Sequence, residues 1–175
     1  MQAKAKNIIL IAMLACYLVP IITIARIYAQ NNSVSHTISI VAKKDPRYLL
    51  YPMITMCVLS VLYEYLDFDF VPFFSILSLV IGIVGIIFVD ESKWLHYFFA
   101  ILCFLGIASY CIHSAFLHPV PFLFTLIVLM ASFSLVYNMQ KRHSIFWEEI
   151  IVLFFFALVY VYKHFFLLRR EKLPK

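Results

Sequence analysis

Glu64, Asp67 and Asp69 flank long apolar runs together with His113, His118 and His164. Three imidazoles and three carboxylates are the kind of donor set that can hold a catalytic divalent metal. The spacing argues against that use. His113 and His118 are five apart with Pro119 next, so one helical face does not present both. These six residues are expected to be solvated at helix ends, with no metal, no cofactor and no catalytic role assigned among them.

A second set is denser. His36, Ser39, His96, Glu148 and Glu149, with Asp90, Glu91, Lys141, Arg142 and His143 around them, fall at the opposite ends of the same apolar runs. His96, Ala100, Cys103, Gly106 and Tyr110 follow helical spacing and form a smaller, more polar stripe than the Phe98/Phe99 side. That stripe is expected to face the interior. Carboxylates at 148 and 149 suit a helix N-terminus, where exposed amides and the helix dipole favour negative charge. The functional alternative is that His36, Ser39, His96, Glu148 and Glu149 grip a lipid head group or a partner protein.

The elements that must position these groups are membrane helices. Of 175 residues 65% are hydrophobic and 13% charged, well above the apolar share of about 45–50% in soluble domains. Six apolar runs are long enough to cross a hydrocarbon layer about 30 Å thick, at about 8–28, 48–66, 70–89, 94–112, 120–137 and 147–168. The expected fold is all-α: one polytopic transmembrane bundle of six helices over residues 1–175, with short loops and one longer first loop. A β-barrel would need alternating segments, and "IVLFFFALVYVY" does not alternate. With only Gly82, Gly85 and Gly106 available, close glycine packing is confined to the third and fourth helices, and Phe and Leu must fill most of the rest.

Lys4 and Lys6 ahead of an apolar stretch also describe a signal peptide, but the run is long, contains Pro20, and ends in "ARIYAQ", where Arg26 and Ile27 spoil a small-residue cleavage site. A retained first helix, kinked near Pro20, is the better reading. With six spans the basic residues divide evenly between the two sides, so they do not orient the protein. The paired N-terminal lysines and the tail "RREKLPK" favour both ends in the cytosol, beside anionic lipid. Tyr48, Tyr51, Tyr63, Tyr65, Trp94, Tyr97, Tyr137 and Trp147 sit at span ends, where interfacial aromatics belong. Cys16, Cys57, Cys103 and Cys111 lie within spans without ligand spacing and read as packing residues. The net charge of +5 is scattered at membrane borders and forms no nucleic-acid stripe.

Residues 31–52, "NNSVSHTISIVAKKDPRYLLYP", form the long polar first loop. Its alternating core could lie on the membrane surface as a lid, ended by Asp45-Pro46. The stretch "HTISIVAKKDP" resembles the first-loop signature of a six-span family that includes the damage-regulated autophagy modulators and a GPI-anchor lipid-remodelling factor. The resemblance rests on Ile38-Ser39 followed by Pro46, on His96 heading the fourth span, and on Trp147-Glu148 heading the last. It implies an endomembrane or plasma-membrane protein with cytosolic termini that acts on or through lipids without a cofactor.

Three function classes follow. The leading one is a non-enzymatic integral membrane protein that binds, senses or organises membrane lipid. The second is a structural or accessory subunit of a larger membrane complex. The third, an intramembrane lipid-modifying enzyme or a transporter, would need ionisable groups within the membrane. Between span ends the sequence offers mainly Ser, Thr and Cys.

Overall fold

The structure is a computed structural model that describes residues 2–31, 50–90, 93–117, 119–140 and 146–170. These form six helices: α1 (Gln2–Asn31), α2 (Leu50–Leu66), α3 (Phe70–Phe88), α4 (Trp94–Leu117), α5 (Pro119–Gln140) and α6 (Phe146–Arg170). Proline marks several starts: Pro52, Pro72, Pro119 and Pro121 stand in first turns, where the missing N–H has no helical partner to lose. Pro20 is different. It lies inside α1, which continues through it.

Each helix packs on its sequence neighbour, and α1 also meets α6, which closes the meander into a bundle. The start of α1 and the ends of α2, α4 and α6 gather at one end, where Lys6 meets Asp67, Asn7 meets His164 and Tyr110 meets Glu64. Four helices carry apolar segments long enough to cross a bilayer: Lys4–Thr23, Phe70–Phe88, Trp94–Leu117 and Trp147–Phe166. α2 and the apolar part of α5, Val120–Leu135, are shorter. The architecture is that of a multi-pass helical membrane protein.

The closest packing joins α3 to α4, and glycine allows it. A Cβ at Gly82 would lie 2.5 Å from the Cys103 backbone nitrogen, and one at Gly106 would lie 2.6 Å from both the Leu79 nitrogen and the Ser75 carbonyl oxygen. With the backbones this close, small polar side chains can cross-link them. Ser78 donates to the Leu102 carbonyl at 3.0 Å, and Ser75 and Ser109 share a hydrogen bond of 2.9 Å. The expected glycine contact between the third and fourth helices is therefore present. Phe99 does not stay on the lipid side as its pairing with Phe98 suggested: its ring lies over Gly85, while Phe98 is exposed.

Cys103, Gly106 and Tyr110 are buried, as the α4 stripe predicts, and His96 and Ala100 are half-buried. α5 is held to α4 by Thr125, whose hydroxyl lies 3.0 Å from the Cys111 carbonyl and 2.8 Å from that of Pro121. Most of the span-end aromatics are exposed, including Tyr51, Tyr65, Trp94, Tyr97, Tyr137 and Trp147. Tyr63 is the exception among those described, at 4% exposure, and Tyr48 lies outside the described residues.

Candidate functional site

Tyr63 is buried because it belongs to a polar cluster inside the bundle. The next residue of α2 is Glu64, 2% exposed. Tyr110 of α4 donates to Glu64 Oε1 at 3.0 Å, and Lys163 of α6 brings its Nζ to 3.6 Å from Oε2. The same ammonium lies 4.7 Å from the centre of the Tyr110 ring, so it meets a carboxylate and an aromatic face together. Tyr160, one turn below Lys163, stacks on Tyr110 at 5.1 Å and 12°, and its buried hydroxyl has no hydrogen-bond partner.

A second chain of hydrogen bonds runs beside this pair. Tyr63 donates its hydroxyl to His164 Nδ1, and His164 Nε2 donates to Asn7 Oδ1 at 2.7 Å. The neutral imidazole, protonated at Nε2, satisfies both contacts. Nearer the surface, Lys6 binds Asp67 at 2.7 Å and covers the Tyr63 ring at 5.0 Å. Asp69 begins α3, yet its carboxylate makes no cap and reaches His113 instead, at 3.3 Å. α1, α2, α3, α4 and α6 thus meet through charged or hydrogen-bonding side chains at one end of the bundle.

This corrects the expectation that the acids and histidines of this end are solvated. Glu64 and His164 are each 2% exposed, while Asp67 and Asp69 remain at the surface. Position along a helix put all of them near an end; the rotation of α2 and α6 turns Glu64, Lys163 and His164 inward. His118 lies outside the described residues. No group of three or more metal-ligating side chains occurs among the described residues.

Beneath the cluster lies an apolar cleft of about 50 Å³ between α1, α2, α3 and α6. Its walls include Leu10 to Tyr17 of α1, Ile76 to Ile83 of α3 and Leu153 to Tyr160 of α6. Each stretch covers two turns, so the cleft is about 10 Å long. Ser60 and Tyr160 close the end next to Glu64 and Lys163, and Ser60 is occupied locally, donating to the Cys57 carbonyl at 2.8 Å. At the far end stands Tyr17, whose buried hydroxyl has no hydrogen-bond partner.

No family model, curated protein or solved structure matches the chain. Its chemistry has to be read from its own residues.

The residues singled out at the opposite end are only partly in view. His36 and Ser39 lie outside the described residues, as does the lid-like stretch around them. His96 is half-buried and donates from Nδ1 to the Val89 carbonyl at 3.2 Å, which ties the start of α4 to the end of α3. Glu148 accepts a hydrogen bond of 2.6 Å from Asn138, joining α6 to α5. Glu149 is half-buried. Both glutamates stand in the first turn of α6, as the helix-dipole reading requires.

Sequence reasoning missed the Glu64, Lys163, Tyr110, Tyr160 group. One signal was present: Lys163-His164 is an ionisable pair inside an otherwise apolar run, and such residues in a membrane helix usually face the interior and find a partner.

Proposed function

We propose that the chain is a non-enzymatic, six-span membrane protein that binds a membrane lipid in the cleft between α1, α2, α3 and α6. The observation that carries this reading is the cleft itself: an opening lined by hydrocarbon within membrane-crossing helices is filled most favourably by hydrocarbon, and the bilayer supplies it. At about 50 Å³ it takes only part of a lipid, so the remainder stays in the bilayer. The polar cluster at its head supports the reading by giving the bundle a rigid end, against which a bound molecule stops.

α2, with 17 residues, is about 26 Å long, a few ångströms short of the hydrocarbon layer. Local thinning and snorkelling side chains absorb a mismatch of that size at modest cost. Six spans place both termini on one side. A lipid-binding role in an endomembrane or plasma membrane also fits the family whose first loop the stretch from His36 to Pro46 resembles.

Purification in mild detergent followed by native mass spectrometry tests the proposal. The wild type is expected to carry a stoichiometric lipid. Ala157→Leu and Ala157→Phe fill the cleft from its α6 wall and should release that lipid while retaining helical circular dichroism; added bulk of this kind costs about 1–3 kcal/mol of stability. Equal lipid content in wild type and both variants would overturn the reading. Stoichiometric partner proteins without lipid would favour an accessory subunit of a larger complex.

A further inference from the structure

We infer that the cleft selects an uncharged lipid, one whose polar atoms are carbonyl or hydroxyl oxygens, and that the Tyr17 hydroxyl donates a hydrogen bond to it. The inference rests on the lipid-binding reading above and names the class of lipid.

Depth is the first reason. Tyr17 stands inside the membrane-crossing segment Lys4–Thr23 of α1, six residues or about 9 Å from its nearer end. A charged group brought to that depth is strongly disfavoured, whereas a carbonyl or hydroxyl oxygen is tolerated there once it is hydrogen-bonded. A phosphate is not.

The second reason is the hydroxyl itself. Buried polar atoms are nearly always hydrogen-bonded, and one left without a partner carries a desolvation penalty. Ser60 and Tyr110, hydroxyl-bearing side chains near the cleft and its head, are committed to Cys57 and Glu64. The Tyr17 and Tyr160 hydroxyls, at opposite ends of the cleft, are buried without a partner, and Tyr17 is the one that lies away from the charged cluster. Its ring forms part of the cleft wall, so an occupant of the cleft lies beside it.

Charge at the head of the cleft is the third. The two buried cations there are already paired, Lys6 with Asp67 and Lys163 with Glu64. Asp69 adds a further carboxylate to the same end, opposite His113. An anionic head group entering from this side would have to displace a carboxylate from a lysine and then sit beside it. An uncharged lipid leaves both pairs intact.

Photolabelling of the full chain in vesicles tests this, using diazirine-bearing diacylglycerol, a diazirine-bearing sterol, and phosphatidic acid with the same labelled acyl chain as the diacylglycerol. At least one neutral probe is expected to label the peptides carrying Leu10 to Tyr17 or Leu153 to Tyr160, and phosphatidic acid to label them several-fold less. Tyr17→Phe should reduce neutral labelling about five- to tenfold, the effect of one lost hydrogen bond. The same substitution should leave the melting temperature of lipid-free protein unchanged or raised, because it deletes a hydroxyl without a partner.

Stronger cleft labelling by phosphatidic acid overturns the assignment to uncharged lipid and leaves the lipid-binding reading standing. Neutral labelling that Tyr17→Phe does not weaken overturns the part given to Tyr17. If no probe labels the cleft, the lipid-binding reading fails along with this one.

Discussion

Lys163→Ala is expected to destabilise the bundle by roughly 3–5 kcal/mol, because it strands the Glu64 carboxylate in the interior with only the Tyr110 hydroxyl to support it. The side chains of the pair are 10% and 3% exposed for Lys163 and Glu64, so solvent screens little of the loss. Glu64→Ala should cost a similar amount by stranding the ammonium.

Removing both charges with matched shapes, as in Glu64→Leu with Lys163→Met, should restore most of the stability, since the desolvation of two ions disappears with their attraction. Hydrogen bonds between membrane helices contribute only about 0.6 kcal/mol on average, so loss of the Tyr110 contact alone does not produce the large single-variant effect. The uncompensated charge does. Unfolding of the four proteins in mixed detergent gives the coupling energy directly. Single variants within about 0.5 kcal/mol of wild type would mean that water reaches the pair, as in an exposed ion pair.

Gly106→Leu is expected to disrupt the bundle at the α3–α4 contact. The new Cβ would meet the Leu79 nitrogen and the Ser75 carbonyl at 2.6 Å each, and these are backbone atoms of a helix that cannot rotate aside. α3 has to move outward, which also breaks the Ser75 to Ser109 and Ser78 to Leu102 bonds. Overpacking usually costs about 1–3 kcal/mol, and a clash with backbone belongs at the upper end or above it.

Gly82→Ala should behave alike, because its Cβ would meet the Cys103 backbone at 2.5 Å. Gly85→Ala meets the Phe99 ring instead, a side chain that can swing away, and should be the mildest of the three. Thermal denaturation in detergent ranks them. Equal tolerance of all three would show that α3 and α4 do not pack this closely in the membrane.

Much of the architecture was legible in residue order alone. Apolar runs of span length appear as six helices, and their limits agree closely at Leu66, Phe70 and Trp94. α4 runs five residues past Ile112 to Leu117, because Pro119, rather than a change in hydropathy, ends it. The three glycines located the tightest helix pair, since nothing else in so bulky a sequence lets two backbones approach. The stripe from His96 to Tyr110 identified the inward side of α4, because it combines small and polar residues where the opposite side carries Phe and Leu.

What the tertiary structure decided is which way the other helices face. A helix in water shows its buried side by amphipathicity, but a helix in lipid is apolar on the lipid side as well as the inner side, and hydropathy no longer distinguishes them. Glu64 and Asp67 are three residues apart in one acidic stretch, yet Glu64 turns inward to Lys163 and Asp67 stays at the surface with Lys6. Tyr63 and Tyr65 read alike as interfacial aromatics, yet Tyr63 binds His164, a hundred and one residues away, while Tyr65 is 66% exposed. The sequence by itself determined that this chain is a helical membrane bundle and which pair of helices packs most closely. Only the folded arrangement brought Glu64 to Lys163 and left Tyr17 at the foot of an apolar cleft, because both depend on helix rotation, which an all-apolar surface does not encode.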